Sequence, residues 1–279
     1  MRNYKVKEIH ALARGLEVLK MLQEMHAGSL HDLHRATGIP KSSLTRILYT
    51  LYRQGYIWQR MADGAFLPSL SSQYRSLKSD DKDWLVEVVS PYLEHLCERV
   101  KWPSVLCVPR LDYMEVIETN SPKSYFDEIP LGPIGYRANM LRSASGRAYL
   151  SFCPDQEREA ILQRLREKDT PGHKLAWDSA AIEALITSTR ANGYSCRAPD
   201  FGGHYDKPRE ESDDGRESIA VPIRLHDRVL GCINLTWRTR VISKEKAVDT
   251  LLPELFATAE EISIKIKQEV LPYAQGLNY

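Results

Sequence analysis

A run of small hydroxylic and cationic side chains, KSSLTR, begins at residue 41. When the positions expected to be buried in a helix are removed, the exposed set contains no acidic residue: Lys41, Ser42, Ser43, Thr45, Arg46 and Tyr49. Short hydroxyl donors let a helix enter the major groove of DNA, and an arginine can bind guanine through two hydrogen bonds. The set therefore predicts a helix that reads base edges.

Basic side chains near such a helix would contact the flanking phosphates. The candidates are Arg14, Arg53 and Arg60, although any one surface cation is also compatible with plain solvation. Residues 1–78 carry twelve basic and five acidic side chains, a balance of +7, and the whole chain is only +1, so the remainder carries −6. A basic N-terminal segment and an acidic remainder are expected when only the N-terminal segment contacts nucleic acid.

The elements that position this helix can be read from the apolar spacing. Leucines 12, 16, 19 and 22 predict a first helix over residues 8–25, and Ser29 can cap a second. The third helix follows Pro40, buries apolar positions 44, 47, 48 and 51, and has Gly55 as its C′ residue. Asp63-Gly64 between two short β-prone runs predicts a hairpin. Three helices and a hairpin indicate a winged helix-turn-helix.

The rest of the chain indicates a second, mixed domain. Residues 69–82 are polar and predict a linker. An apolar stripe over 84–100 predicts a helix that Pro91 kinks or restarts with Ser90 as its cap. Its stripe residues Leu85, Val88, Val89 and Leu96, together with the residues before the stripe, are candidates for a contact between subunits. Strand patterns at 104–111, 113–119, 217–225 and 228–237 alternate with helical patterns at 155–167, 179–193 and the C-terminus. An α+β fold with an antiparallel sheet is expected.

Four segments together resemble the IclR family of bacterial regulators: RGLEVLKML at 14–22, LHDLHRATGIPKSSLTRILYTLYRQGYI at 30–57, MLRSASGRAYLSF at 140–152 and RESIAVPIRLHDRVLGCINLTW at 216–237. Within that family the chain looks most like regulators of aromatic-acid catabolism of the MhpR, or phenylpropionate, type. The resemblance implies a winged helix-turn-helix at 1–68, a linker at 69–82 and a GAF-like effector-binding domain at 83–279. It also implies homodimers or homotetramers on palindromic double-stranded DNA operators.

The resemblance also points to effector-binding residues, namely Ala144, Ser145, Ser218, Asn234 and Thr236. Asn234 and Thr236 are two residues apart, so they face the same side of a strand and need polar partners. A ligand carboxylate or hydroxyl is one partner, and other protein groups or water are the alternatives.

Further side chains could complete an effector site. Arg142 is the best cation for a carboxylate, because a guanidinium matches it with two hydrogen bonds; an ordinary surface arginine is the equal alternative. Tyr136, Trp102 and Tyr149 could stack on an aromatic ring or belong to the core. The expected effector is an aromatic or other small carboxylic acid.

The sequence departs from the family at residues 197–216, RAPDFGGHYDKPREESDDGR. The family's segment is shorter and supplies an acidic residue to the effector pocket. Aspartates 200, 206, 213 and 214 are all possible equivalents here. Because the insertion is polar and rich in Gly and Pro, it predicts either a mobile lid or a disordered loop.

Other classes of protein find little support. The motifs G-x-S-x-G, G-x-G-x-x-G and H-E-x-x-H and the P-loop are absent, which argues against an enzyme and against a bound cofactor. Histidines 26, 31 and 34 leave a metal sensor as an alternative, but no cysteine or acid cluster adjoins them. A scaffold that binds only proteins is a further alternative. Five cysteines without C-x-x-C, no apolar run near ~18 residues and no signal peptide predict a cytoplasmic protein without a membrane partner.

Overall fold

A computed structural model describes residues 9–69, 83–121, 132–168, 171–204 and 207–274. The chain divides into two compact units between Glu87 and Val88. Apart from Ser69, the predicted linker at 69–82 lies outside the described residues.

The N-terminal unit is a three-helix fold followed by a two-stranded hairpin. Its elements are α1 (His10–Met25), α2 (Leu30–Thr37), α3 (Lys41–Arg53), β1 (Ile57–Gln59) and β2 (Phe66–Pro68), with β1 and β2 antiparallel. One apolar cluster joins all three helices to β1; its buried members are Val18, Leu22, Leu33, Ile39, Leu44, Leu48 and Ile57. The predicted winged helix-turn-helix is therefore confirmed.

Local capping chemistry defines where α2 and α3 begin and end. The Ser29 hydroxyl accepts from the backbone N–H of Asp32, and the Asp32 carboxylate accepts from the backbone N–H of Ser29, which is a capping box. At the end of α3, Gly55 has a φ of 73°. Its N–H donates to Tyr52 and that of Tyr56 donates to Leu51, so the last carbonyls of the helix are satisfied in a Schellman motif.

The C-terminal unit combines helices with one antiparallel sheet, as predicted. Its helices are α4 (Asp83–Val100), whose first five residues precede the division between the units, α5 (Ala144–Phe152), α6 (Asp155–Arg166), α7 (Ser179–Asn192) and α8 (Lys244–Ala274), with a 3-10 helix at Pro171–Trp177. Its strands are β3 (Ser104–Pro109), β4 (Tyr113–Thr119), β5 (Arg137–Asn139), β6 (Ser195–Cys196), β7 (Arg216–Leu225) and β8 (Arg228–Arg238). The order across the sheet is β5-β4-β3-β8-β7-β6.

Both faces of the central strands are covered. Along β8, Ile233, Leu235 and Trp237 are fully buried, and Cys232 is buried on the alternate face. Cys232 belongs to the apolar cluster that α5, α6 and α7 form with the sheet. Because successive side chains of a strand point to opposite faces, the burial of both sets means that the sheet lies between two layers.

The prediction of a restarted helix at Pro91 was wrong. α4 runs through Pro91 without interruption from Asp83 to Val100. The Ser90 hydroxyl does not cap a helix; it donates to the buried Glu118 carboxylate over 2.8 Å. The hydroxyl therefore links α4 to a carboxylate of the sheet.

Gly146 in the first turn of α5 gives the first prediction. A Cβ atom there would lie 2.3 Å from the carbonyl oxygen of Met140 and 2.6 Å from its Cα, both of them backbone atoms. We expect Gly146→Ala to destabilise the protein by about 1–3 kcal/mol or more, because the backbone of α5 and that of Met140 must move apart. Denaturant unfolding followed by circular dichroism measures this.

Gly15→Ala is the matched control. Gly15 lies inside α1, and nothing lies within 4 Å of the Cβ it would gain. Alanine has the higher helix propensity, so this variant should be neutral or more stable by up to about 1 kcal/mol. Equal stability of the two variants would show that α5 tolerates a side chain at position 146.

Candidate DNA-contact helix and ligand cavity

The outer face of α3 carries the side chains that the sequence proposed for DNA contact. Lys41, Ser42, Thr45, Arg46 and Tyr49 are exposed, and Ser43 is half-buried. Leu44 and Leu48 anchor the opposite face in the core, which fixes the rotation of the helix. The exposed face is therefore basic and hydroxylic, without an acidic side chain.

Two further exposed tyrosines lie near this face, Tyr52 on α3 and Tyr56 just after its end. Tyr49, Tyr52 and Tyr56 are 64%, 53% and 58% exposed and follow one another at positions i, i+3 and i+7. Aromatic side chains with this exposure are available to a partner molecule. The sequence reasoning missed Tyr52 and Tyr56. The helical spacing of Tyr52 from Tyr49 was a visible signal, whereas Tyr56 follows the end of α3 and gives no such signal.

The three flanking arginines differ in their surroundings. Arg14 and Arg53 are exposed. The Arg60 guanidinium instead donates to both oxygens of Asp63 in the hairpin turn, at 3.1 and 2.6 Å. Burial alone would raise the pKa of Asp63, but the hydrogen bonds from Arg60 and from the Ala65 backbone outweigh it, so the pKa is lowered. The charge of Arg60 is therefore balanced within its own turn.

A cavity of about 340 Å³ lies in the C-terminal unit between α5, the sheet and the inserted segment. Six of the nine residues named for the effector site line it: Tyr136, Ala144, Ser145, Ser218, Asn234 and Thr236. Apolar lining comes mainly from the β3–β5 side, with Val105, Val116, Pro133 and Ala138. The predicted residues thus meet around one space, although they are widely separated in the chain.

The sheet register explains why Asn234, Thr236 and Ser218 come together. Thr236 pairs with Ser218 on β7, and Asn234 pairs with Val105 on β3. The Asn234 side-chain oxygen accepts from the Val105 N–H at 3.1 Å, and its amide nitrogen lies 3.5 Å from the Ser145 hydroxyl. Within the described part of the chain, the hydroxyls of Ser218 and Thr236 make no hydrogen bond. They are therefore available to a molecule in the cavity.

The N-terminus of α5 opens into the same cavity. The Ser143 hydroxyl caps the helix by accepting from the Gly146 N–H at 3.0 Å. The N–H groups of Ala144 and Ser145 belong to the first turn, which has no intrahelical acceptors, and their residues line the cavity. Burial raises the pKa of the adjacent Cys107 thiol to about 12, so that thiol stays neutral. This end of the cavity suits an anion.

Arg142 and Trp102 are not part of the cavity lining. The Arg142 side chain is buried, and its guanidinium donates to the backbone oxygen of Asp200 at 2.9 Å and to its carboxylate at 3.1 Å. Trp102 is buried elsewhere, and Tyr149 is a core residue whose hydroxyl donates to Glu157. The arrangement expected from the sequence, with Arg142 facing the ligand, does not occur here because Asp200 holds its guanidinium.

Arg197 occupies the place that the sequence gave to Arg142. It lines the cavity, and its guanidinium donates to the two oxygens of Asp214 at 3.0 and 3.1 Å. It also lies over the Phe201 ring at 4.8 Å, which holds its plane in position. Sequence reasoning missed Arg197 because the position of a loop arginine depends on contacts that have no periodic signal.

The inserted segment is folded rather than disordered over its described residues, which corrects one of the two predictions for it. Gly203 bridges to Asp213, and Phe201 bridges to Pro208. Gly202 packs so closely that a Cβ would lie 1.7 Å from the carbonyl oxygen of Ser212. Of the four candidate aspartates, Asp214 lines the cavity, Asp200 binds Arg142, Asp213 lies outside the lining, and Asp206 is outside the described residues.

Three findings bear on a metal site and on a membrane span. No group of three or more His, Cys, Asp or Glu side chains within the described ranges could hold a metal ion. His34 contacts the backbone oxygen of Ile39 through its Nδ1 atom at 2.8 Å. Among the helices described, none is long and apolar enough to cross a membrane.

Known proteins resemble this chain along most of its length. XynR, an HTH-type transcriptional regulator of Escherichia coli K12, is 25% identical over 250 residues, which cover 86% of this chain and 90% of XynR. A transcriptional regulator of Rhodococcus sp. RHA1 superposes with a TM-score of 0.53 at 25% identity, covering 94% of this chain and 99% of that one.

An IclR homologue from Microbacterium hydrocarbonoxydans, solved with 4-hydroxybenzoate, has the same fold. It superposes with a TM-score of 0.52 at 21% identity and covers 92% of this chain and 99% of that one.

Family models account for both units. The IclR helix-turn-helix domain matches residues 11–60, and the C-terminal domain of the bacterial transcriptional regulator IclR matches residues 79–264. The expectation that the chain is not an enzyme agrees with these relatives, which are transcriptional regulators. The chain belongs to the IclR family of bacterial transcriptional regulators.

Proposed function

We propose that this regulator binds a palindromic operator through α3 and that a small carboxylic acid in the cavity controls this binding. The observation that carries the proposal is the cavity itself, where the α5 N-terminus faces the free hydroxyls of Ser218 and Thr236. The expected division into a DNA-binding domain at 1–68, a linker at 69–82 and an effector domain at 83–279 is part of this proposal.

The DNA-reading surface is the acid-free face of α3. Arg46 is its central long cation, exposed between the hydroxyl of Thr45 and the aromatic ring of Tyr49. A guanidinium at this position can bind guanine through two hydrogen bonds in the major groove. Lys41 at the start of the helix and Arg53 at its end are positioned for the flanking phosphates.

A homodimer, or a pair of dimers, supplies the two-fold symmetry that a palindrome requires. The stripe on α4 proposed for subunit contact cannot serve, because its side chains are at most 6% exposed: Leu85, Val88, Val89 and Leu96. The exposed apolar face lies instead on α1, where Ile9, Leu12 and Leu16 are 67%, 57% and 58% exposed. Apolar groups clustered in this way favour association with a second copy.

The proposed effector is an aromatic or similar small acid. Its carboxylate lies at the α5 N-terminus, where Ser145 supplies a hydroxyl and the helix dipole favours negative charge. Its body packs on Val105, Val116 and Pro133. The 4-hydroxybenzoate bound to the Microbacterium homologue supports an aromatic acid. Kinship with MhpR-type regulators stays a prediction.

An effector switches the protein only if it binds two conformations unequally. The two conformations would differ in the distance between the DNA-binding domains of the two subunits of the dimer. The expected linker is the part of the chain through which such a change must pass.

The DNA proposal predicts the effect of Arg46→Ala. This variant should lose about 1–3 kcal/mol of binding to the specific operator, because a bidentate contact to a base edge is removed. Fluorescence anisotropy with operator and random duplexes measures the loss. The control is Lys20→Ala, which removes an exposed cation from α1. Equal weakening on both duplexes would make Arg46 a phosphate contact, and unchanged binding would remove it from the interface.

The dimer proposal predicts the effect of Leu16→Glu. A carboxylate in an apolar contact is costly, so the dimer dissociation constant should rise at least about tenfold. Sedimentation equilibrium of the full chain measures it. Ala11→Glu, also exposed on α1 but on another side of the helix, is the control and should leave the dimer intact. A monomeric wild-type protein with full operator affinity would contradict the proposal.

The effector proposal predicts the effect of Thr236→Val. This isosteric change removes a hydroxyl that lines the cavity, so affinity for 4-hydroxybenzoate or benzoate should fall by about 0.5–1.5 kcal/mol, or more if a donor is left buried without a partner. Calorimetry on the full chain measures it. Thr250→Val, on the exposed side of α8, is the control. An acid that binds both variants and the wild type equally would place the site elsewhere.

A further inference from the structure

The exposed side of α3 divides into two strips of different chemistry. Thr45, Tyr49 and Tyr52 follow one another at positions i, i+4 and i+7, and Arg46 and Arg53 are related as i and i+7. All five side chains are exposed. Residues at these spacings share one side of a helix, and consecutive residues are turned by about 100° from each other. A strip of methyl and aromatic groups, here called the aromatic strip, therefore runs beside a strip of guanidinium groups.

The hydroxyl of Thr45 is not available to a base as a donor. It donates its single hydrogen to the backbone oxygen of Lys41 at 2.9 Å. The exposed hydroxyl of Ser42 differs, because it makes no hydrogen bond within the described part of the chain. A free hydroxyl can contact donors and acceptors alike, whereas Thr45 can offer only its γ-methyl group or the lone pairs of its oxygen. Thr45 is therefore the more selective of the two residues.

The surroundings of Thr45 favour its methyl group over its oxygen as the reading group. A hydroxyl bonded to the carbonyl four residues earlier is held against the backbone of its own helix. The ring of Tyr49, one turn later on the same side, is 64% exposed and adds apolar surface next to the methyl group. In the major groove, the 5-methyl of thymine is the only methyl group that the four bases present. The aromatic strip therefore matches thymine.

Thr45 also lies in the half of α3 that is expected to reach the bases. The N-terminal residues of a recognition helix contact base edges, and Thr45 is the fifth of the 13 residues of α3. Thr50 gives an internal comparison, because its hydroxyl donates to the Arg46 backbone oxygen at 2.8 Å and its side chain is also exposed. It lies about 7.5 Å further along the helix axis, outside the aromatic strip. The two threonines thus have the same local chemistry at different positions.

We infer that α3 reads a thymine near the guanine proposed for Arg46: the thymine methyl packs against the γ-methyl of Thr45 and the ring of Tyr49. This inference rests on the proposed DNA-binding function, and it adds a second base together with the residue that selects it. A methyl group enclosed between apolar surfaces is removed from water, which stabilises the contact without a hydrogen bond.

The test is in vitro selection from random duplexes, because this requires no known operator. The full chain and its Thr45→Val, Thr45→Ser and Thr50→Ser variants each select binding sites. Wild-type protein and Thr45→Val, which keeps the methyl group, should select thymine at the same position. Thr45→Ser, which keeps the hydroxyl and removes the methyl group, should lose the preference there. Thr50→Ser removes a methyl group elsewhere on α3 and should select the wild-type sequence.

A second measurement removes the methyl group from the DNA instead. Uracil in place of the selected thymine leaves the hydrogen-bonding edge unchanged, so the wild-type affinity measured by fluorescence anisotropy should fall about three- to fivefold. For Thr45→Ser the thymine and uracil duplexes should differ by less than about twofold, because the partner methyl group is already absent.

The outcomes separate this inference from the proposed function. A thymine preference that survives in Thr45→Ser, selected sites without thymine, or equal binding of the thymine and uracil duplexes would each overturn the inference while operator binding stands. If Thr45→Val loses a preference that Thr45→Ser keeps, the oxygen of Thr45 reads an amino group of adenine or cytosine instead. If the wild-type chain selects no sequence at all, the proposed operator binding fails together with the inference.

Discussion

The close approach of α5 to the turn that precedes it is the contact on which the candidate ligand site depends. Gly146 lies against the backbone of Met140, and no side chain fits between them. This approach directs the first turn of α5 toward the sheet, so that Ser145 comes within 3.5 Å of Asn234. A helix N-terminus attracts anions only when its N–H groups are accessible to them. The missing side chain of one glycine thus gives the cavity its anion-favouring end.

The polar side chains that line the cavity come from two kinds of structure, regular strands and an irregular loop. Regular structure supplies Ser218, Asn234 and Thr236, whose positions follow from strand pairing. Irregular structure supplies Arg197 and Asp214, which are held by each other, by Phe201 and by glycine turns. An enclosed cation needs such support, because a charge removed from water is costly unless it is paired. The sheet therefore supplies polar side chains in fixed orientations, and the inserted segment supplies charged side chains.

Periodic patterns predicted the elements well and the loop contacts poorly. The spacing of Leu44 and Leu48 was sufficient to find the exposed face of α3, and strand alternation placed Asn234 with Thr236. Arg142 and Arg197 could not be ranked in this way, since both are arginines beside loops and only the fold shows that Asp200 takes the first. The restart at Pro91, one of the two possibilities that the sequence offered, does not occur, because α4 runs through Pro91 although local propensity favours a break there.

The Arg60–Asp63 pair has a consequence for how this family member would respond to salt. Binding to DNA releases about 0.9 counterions for each phosphate that a cation neutralises, and the logarithm of affinity falls with the logarithm of salt concentration accordingly. The Arg60 guanidinium is already paired with a fixed carboxylate in the same turn, so it would neutralise a DNA phosphate less and release fewer of the DNA's counterions. In a complex with DNA, the hairpin would then add little to the salt dependence of the binding affinity. Among the described residues of the N-terminal unit, the cations that would give the complex its salt dependence lie on the helices, such as Arg46 and Arg53 on α3.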